Sequence, residues 1–117
     1  MKRLFLKLLL YITIISCSSS YGITNIEPKT GIIEVEANKD FRMWKNIKHG
    51  SFTVKLTNLS HTQSVELYKV KSNGNETWIS PSLLANSSQE VVIPADGHLF
   101  LKNFNPNTIT IIYKIAE

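Results

Sequence analysis

The chain has 117 residues, with 13 Lys+Arg against 9 Asp+Glu, a formal charge of +4 and a single cysteine. That length holds one small domain, and a lone cysteine excludes an internal disulfide framework or a cysteine-based zinc site. The basic excess is local: Lys2, Arg3 and Lys7 all precede Glu27, the first acidic residue. Without them 10 basic residues face 9 acidic ones, so no nucleic-acid partner is expected.

The N-terminus reads as an address. Met1-Lys2-Arg3 is a basic start, and Leu8 to Ile15 (LLLYITII) is apolar apart from Thr13. This run fits a secretory signal of about 7–15 residues and falls short of the ~20 needed to span a bilayer. Ile14-Ile15-Ser16-Cys17 follows: aliphatic, tolerant position, small residue, then a thiol that can accept a diacylglyceryl group as a thioether. These residues resemble the lipobox of bacterial lipoproteins, a resemblance confined to the first 17 or so positions. It implies a signal peptide over 1–16, acylation with palmitate-type chains at Cys17, and attachment to a lipid bilayer through that residue. Ser18 in place of an aspartate implies the outer membrane of the cell envelope, facing the periplasm. The alternative is cleavage after Gly22, since Ser20-Tyr21-Gly22 is also small-x-small, which would release a secreted soluble protein.

Residues 17–30 then read as a tether and 31–117 as the domain. Ile32 to Ala37 alternates, with Ile33, Val35 and Ala37 on one side and Glu34 and Glu36 on the other. Ser51 to Leu59 places Phe52, Val54 and Leu56 inward, the period-two pattern of a half-buried strand. After Ser60-His61-Thr62-Gln63, taken as a hairpin loop, Val65 to Lys71 is a further strand. Asn73-Gly74 predicts a type I′ turn that pairs this strand with Glu76–Ser80. Pro81 is expected to stop that strand, with a crossover loop over Ser82–Ser88 holding two inward leucines. Glu90–Ile93 is a strand closed by Pro94-Ala95-Asp96-Gly97. His98–Phe104 and Thr108–Ile115 read as a last hairpin. No segment of the domain shows sustained helical periodicity. The expectation is all-β: an antiparallel β-sandwich of about seven strands, immunoglobulin-like or a related Greek key, with a small open barrel as the alternative.

The chemistry is sparse. His49, His61 and His98 fall near a strand start, in a loop and after a turn, and read as solvated. No metal site and no cofactor is expected from them. No serine sits in a Gly-x-Ser-x-Gly elbow, no Gly-rich phosphate loop occurs, and Glu34 with Glu36 reads as a solvated pair. An enzyme is not expected, so no catalytic residue is assigned.

One stretch stands out, Lys39 to His49 (KDFRMWKNIKH), where cations alternate with aromatic and apolar residues. Phe41, Arg42, Trp44, Lys45 and Lys48 are candidate contacts for a phosphate, an anionic lipid or a polyanionic glycan. The competing reading is a strand over 41–48 with Phe41, Met43 and Ile47 inward and the cations in solvent; Trp44 breaks its alternation. Trp78, just after the Asn-Gly turn, is the second candidate, because an exposed indole can stack on a sugar ring, although tryptophan is more often buried. Three readings follow: a membrane-anchored, non-catalytic binding or structural module with an unknown protein partner; a glycan-binding module using Trp44 or Trp78; and a small inhibitor or immunity-type protein. Burial of both tryptophans would remove the glycan reading.

Overall fold

The computed structural model describes residues 26–116. The signal segment, the lipobox and Cys17 lie outside the described residues. Eight strands form: β1 (Thr30–Val35), β2 (Asp40–Met43), β3 (Phe52–Asn58), β4 (Val65–Val70), β5 (Glu76–Leu83), β6 (Ser88–Ile93), β7 (His98–Lys102) and β8 (Ile109–Ile115). They make two four-stranded sheets of order β1-β8-β3-β6 and β2-β7-β4-β5.

The pairing has a simple logic. β4 pairs with β5, β3 with β6, β2 with β7 and β1 with β8, all antiparallel. The chain is therefore one long antiparallel ribbon whose tip is the Asn73-Gly74 turn. Rolling that ribbon brings β8 beside β3 and β7 beside β4, which closes a jelly roll of two Greek keys. The all-β antiparallel sandwich holds, with eight strands and the Greek-key alternative in place of the immunoglobulin one.

The core is the inner face of both sheets. Phe52, Val54 and Leu56 of β3 and Ile109, Ile111, Tyr113 and Ile115 of β8 are buried as the alternation requires, against Leu67, Leu99 and Leu101. Ile26, ahead of β1, is also buried in this cluster. The Lys29 carbonyl accepts the Ile115 amide at 2.7 Å, so the chain is already part of the domain before its first strand.

Several local expectations change. Only β4 and β5 form a hairpin between consecutive strands of one sheet. The segments at Ser60–Gln63 and Asn105–Asn107 cross between sheets, because a sandwich strand buries one face and its successor covers that face from the opposite layer. In the β4–β5 turn Gly74 has φ 92° while Asn73 stays out of the left-handed region, and the Gly74 amide donates to the Lys71 carbonyl at 2.8 Å. This is a turn plus a left-handed glycine in place of a type I′ turn. Pro81 does not end β5. The ladder slips between Val65 and Leu67, opposite Leu83 and Ile79, and Pro81 falls in that irregularity on an edge strand, where a missing amide is tolerated. Of the two leucines expected inward, Leu83 is buried and Leu84 exposed.

Candidate functional site

Residues paired across an antiparallel ladder share a face. In the β2-β7-β4-β5 sheet, Arg42 pairs with Phe100, Phe100 with Tyr68, and Tyr68 with Trp78. One row thus crosses all four strands on the face away from the core. A neighbouring row places His98 opposite Val70 and Val70 opposite Glu76, and on the other side Asp40 faces Lys102 and Lys102 faces Glu66. The β1-β8-β3-β6 sheet presents no aromatic residue on the corresponding outer positions of its strands, which carry Ile32, Glu34, Thr53, Lys55, Thr57, Glu90, Val92, Thr110, Ile112 and Lys114.

The aromatic row is built and braced. Tyr68 and Phe100 lie 5.6 Å apart between ring centroids. The Arg42 guanidinium sits 3.7 Å from the Phe100 centroid, and Lys102 Nζ lies 5.1 Å from the Tyr68 ring and 5.2 Å from the Phe100 ring. These stems leave Phe100 only 3% exposed although it is outside the core cluster. Cationic side chains packed on ring faces bury their methylenes and keep their charge wet. Arg42 Nη1 donates to His98 Nε2 at 2.8 Å and Nη2 donates to Glu76 Oε2 at 3.3 Å. The Tyr68 hydroxyl donates to Glu66 Oε1 at 2.7 Å. That bond, then burial, then the charges of Glu66 and Glu76 hold the phenol above its usual pKa, so Tyr68 stays a neutral donor. At the end of the row Trp78 remains 54% exposed. It offers a flat apolar surface on the same face as Tyr68, its ladder partner, and Glu76, two residues away on β5.

The basic stretch divides. β2 ends at Met43, and Trp44 takes a left-handed φ of 70°, followed by Asn46 at 62°. That reversal swings the indole inward, where it meets Phe52 at 5.0 Å and Tyr113 at 5.7 Å, both edge-on. The broken alternation at Trp44 is thus the end of the strand. Trp44 is an anchor for the loop and is not offered to a ligand. Ile47, expected inward, is 46% exposed because the strand does not reach it. Phe41 shares the core-side row with Leu101 and Leu67 and is partly exposed only because β2 is an edge. Arg42 and Trp78, by contrast, share the outer face at the two ends of one row, while Lys45 and Lys48 lie on the loop after β2.

Two histidines are also not solvated. His49 is buried, with Nδ1 2.7 Å from the Gly50 carbonyl and Nε2 2.8 Å from the Gly97 carbonyl. His98 is buried under Arg42. Burial first, then the charges of Arg42 and Lys45, depress its pKa against a small opposing pull from Glu76. His61 is exposed as expected. Among the described residues no group of three or more His, Cys, Asp or Glu side chains is placed to hold a metal ion. Tyr68, Phe100 and Lys102 were not singled out by sequence. Their signal was the outward set of each strand, which shows only once the order of the strands is known.

No family model and no curated protein sequence matches the chain. Solved structures do. A de novo designed double-stranded β-helix matches with a TM-score of 0.51 and 11% identity over 76% of this chain and 100% of the design. PirA matches with a TM-score of 0.52 and 8% identity over 78% of this chain and 96% of PirA. The capsular polysaccharide assembling protein CapF of Staphylococcus aureus gives a TM-score of 0.49 and 14% identity, covering 81% of this chain and 28% of CapF. The first two likenesses are of fold, and at these identities they extend to fold alone.

Proposed function

We propose that the chain is an exported, non-catalytic binding module of the bacterial cell envelope. In this reading Cys17 carries the acyl chains that hold it at the membrane, and the outer face of the β2-β7-β4-β5 sheet recognises a glycan. The single observation behind the ligand class is Trp78: it is exposed by 54% at the end of a braced aromatic row. A sugar ring presents C–H groups to an aromatic face and hydroxyls at its rim. Tyr68, the ladder partner of Trp78 on β4, and Glu76, two residues away on β5, share the face of the indole and supply polar groups for that rim. The face beside the indole is pre-ordered, since Phe100 packs on both Arg42 and Tyr68, and a pre-ordered face loses little side-chain entropy on binding.

The test is a survey of immobilised oligosaccharides with the processed protein in detergent. Saturable binding to one glycan class supports the reading. Failure to bind any glycan, with stoichiometric capture of a protein by the same sheet face, contradicts it and favours the protein-partner module.

A further inference from the structure

Beside the aromatic row lies a cleft of about 530 Å³ at the β4–β5 end of the sheet. Its walls carry Lys45 and Lys48 from the loop after β2 and Lys71 from the end of β4, with His98 and Val70 between them and the aromatic face. Among the described residues the ion pairs are Lys39–Glu36 and Arg42–Glu76, so all three cleft lysines lack a carboxylate partner. The wall also carries one carboxylate, Asp96, whose Oδ1 accepts the His49 amide at 2.9 Å, so the lysines exceed it by two charges.

We propose that this cleft holds the acidic group of the ligand, a carboxylate or other anion carried by a glycan whose neutral part stacks on Trp78. The inference rests on the glycan reading above and adds the charge of the ligand and the residues that select it. Three lysines against one carboxylate around one concavity attract an anion more strongly than the same net charge spread over a surface. The lysine-bearing loop is held by the left-handed turn at Trp44 and by the packing of that indole on Phe52 and Tyr113, so the site is formed before ligand arrives. The opposite wall is equally firm. A Cβ at Gly97 would collide with the Val70 carbonyl oxygen, which shows how closely the β6–β7 turn packs on the end of β4. His98 joins cleft and platform as a neutral group: it accepts from Arg42 and leaves the three lysines, less Asp96, as the charge that selects the anion. An anionic membrane headgroup would meet the same lysines, but the continuity of the cleft with the aromatic row through His98 and Val70 favours a ligand that occupies both.

The experiment is an amide-shift titration of the full chain in detergent micelles with oligogalacturonate and with its methyl ester, at low and moderate salt. The same titration is run on Trp78→Ala and on the triple variant K45Q/K48Q/K71Q, whose surface substitutions are checked by thermal melting. The acid is expected to bind at least tenfold more tightly than the ester and to shift the amides of residues 45–48 and 71. The triple variant is expected to erase that preference while retaining ester binding. Equal binding of acid and ester, or no saturable shift at those residues, overturns the cleft assignment and leaves the platform standing if the ester still needs Trp78. Acid binding that needs the lysines but ignores Trp78 overturns the glycan platform and this inference together. Stronger binding to phosphatidylglycerol vesicles through the same lysines than to the saccharide overturns it in favour of a headgroup.

Discussion

Arg42 Nη1 donates a hydrogen bond to His98 Nε2 at 2.8 Å. A guanidinium has no acceptor, so Nε2 must accept, and the imidazole is neutral with its proton on Nδ1. The same guanidinium reaches Glu76 at 3.3 Å and covers the Phe100 ring. One side chain on β2 therefore links β7 and β5 across the outer sheet face, and fixes the protonation of a buried histidine.

Arg42→Ala is expected to cost about 1–2 kcal/mol of stability, the sum of a lost cation–π contact, a partly exposed ion pair and a hydrogen bond. Phe100 becomes exposed and the His98 pKa rises toward its ordinary value. Thermal melting and a histidine NMR titration check both effects. An unchanged His98 titration would show that Arg42 does not control that ring.

The His98 pKa is lowered in the folded protein by burial, Arg42 and Lys45. The unfolded chain, with a value near 6.5, therefore binds the proton more readily than the folded one. The stability His98 contributes is fully present above about pH 6.5 and is lost as pH falls from there through the lowered folded value. His98→Gln keeps an acceptor for Arg42 but cannot be protonated. Urea midpoints at pH 7.5 and 5.5 should fall more in the parent than in the variant; equal falls would contradict the assignment.

Asn103 is buried at a sheet-to-sheet crossing. Its Nδ2 is directed at the carbonyls of Asn107 at 2.8 Å, Val35 at 3.0 Å and Glu36 at 3.2 Å, and its Oδ1 accepts the Asn105 amide at 2.8 Å. Asn103→Ala strips partners from buried backbone groups and is expected to cost about 3 kcal/mol. Asn58, which ties Gln63 and Leu83 together at 2.8 and 3.1 Å, is expected to behave alike. A loss below about 1 kcal/mol in chemical denaturation would show that the backbone re-pairs without them.

Cys17→Ser tests the anchor. The lipobox resemblance predicts accumulation of an unprocessed precursor and loss of incorporated palmitate. Normal processing of the variant, with a mature chain beginning after Gly22, would place the protein among soluble secreted ones and remove the membrane from the account.

The strands were legible where the inner set is continuously apolar: Phe52, Val54 and Leu56, or Ile109, Ile111, Tyr113 and Ile115, state their own face. What alternation does not encode is which sheet a strand joins. His98–Lys102 and Ile109–Ile115 alternate like a hairpin, yet each pairs with other strands. Phe100 shows the same limit at the site. It reads as core by type, and it is buried, but by Arg42 and Lys102 on the outer face. The basic stretch was visible as composition, while its division into an inward Trp44, a bracing Arg42 and free lysines depended on one left-handed residue that no pattern of polarity announces. Asn58 and Asn103 gave no signal, since a buried polar cross-link looks in sequence like any loop asparagine.

The central claim is that Trp78 is a binding platform. Calorimetric titration of the saccharide selected in the oligosaccharide survey, into the parent and into Trp78→Ala, tests it most directly. The account predicts at least a tenfold loss of affinity, about 1.4 kcal/mol, with thermal stability unchanged within about 0.5 kcal/mol because the indole is exposed and outside the core. Undiminished affinity in a folded Trp78→Ala protein would contradict it.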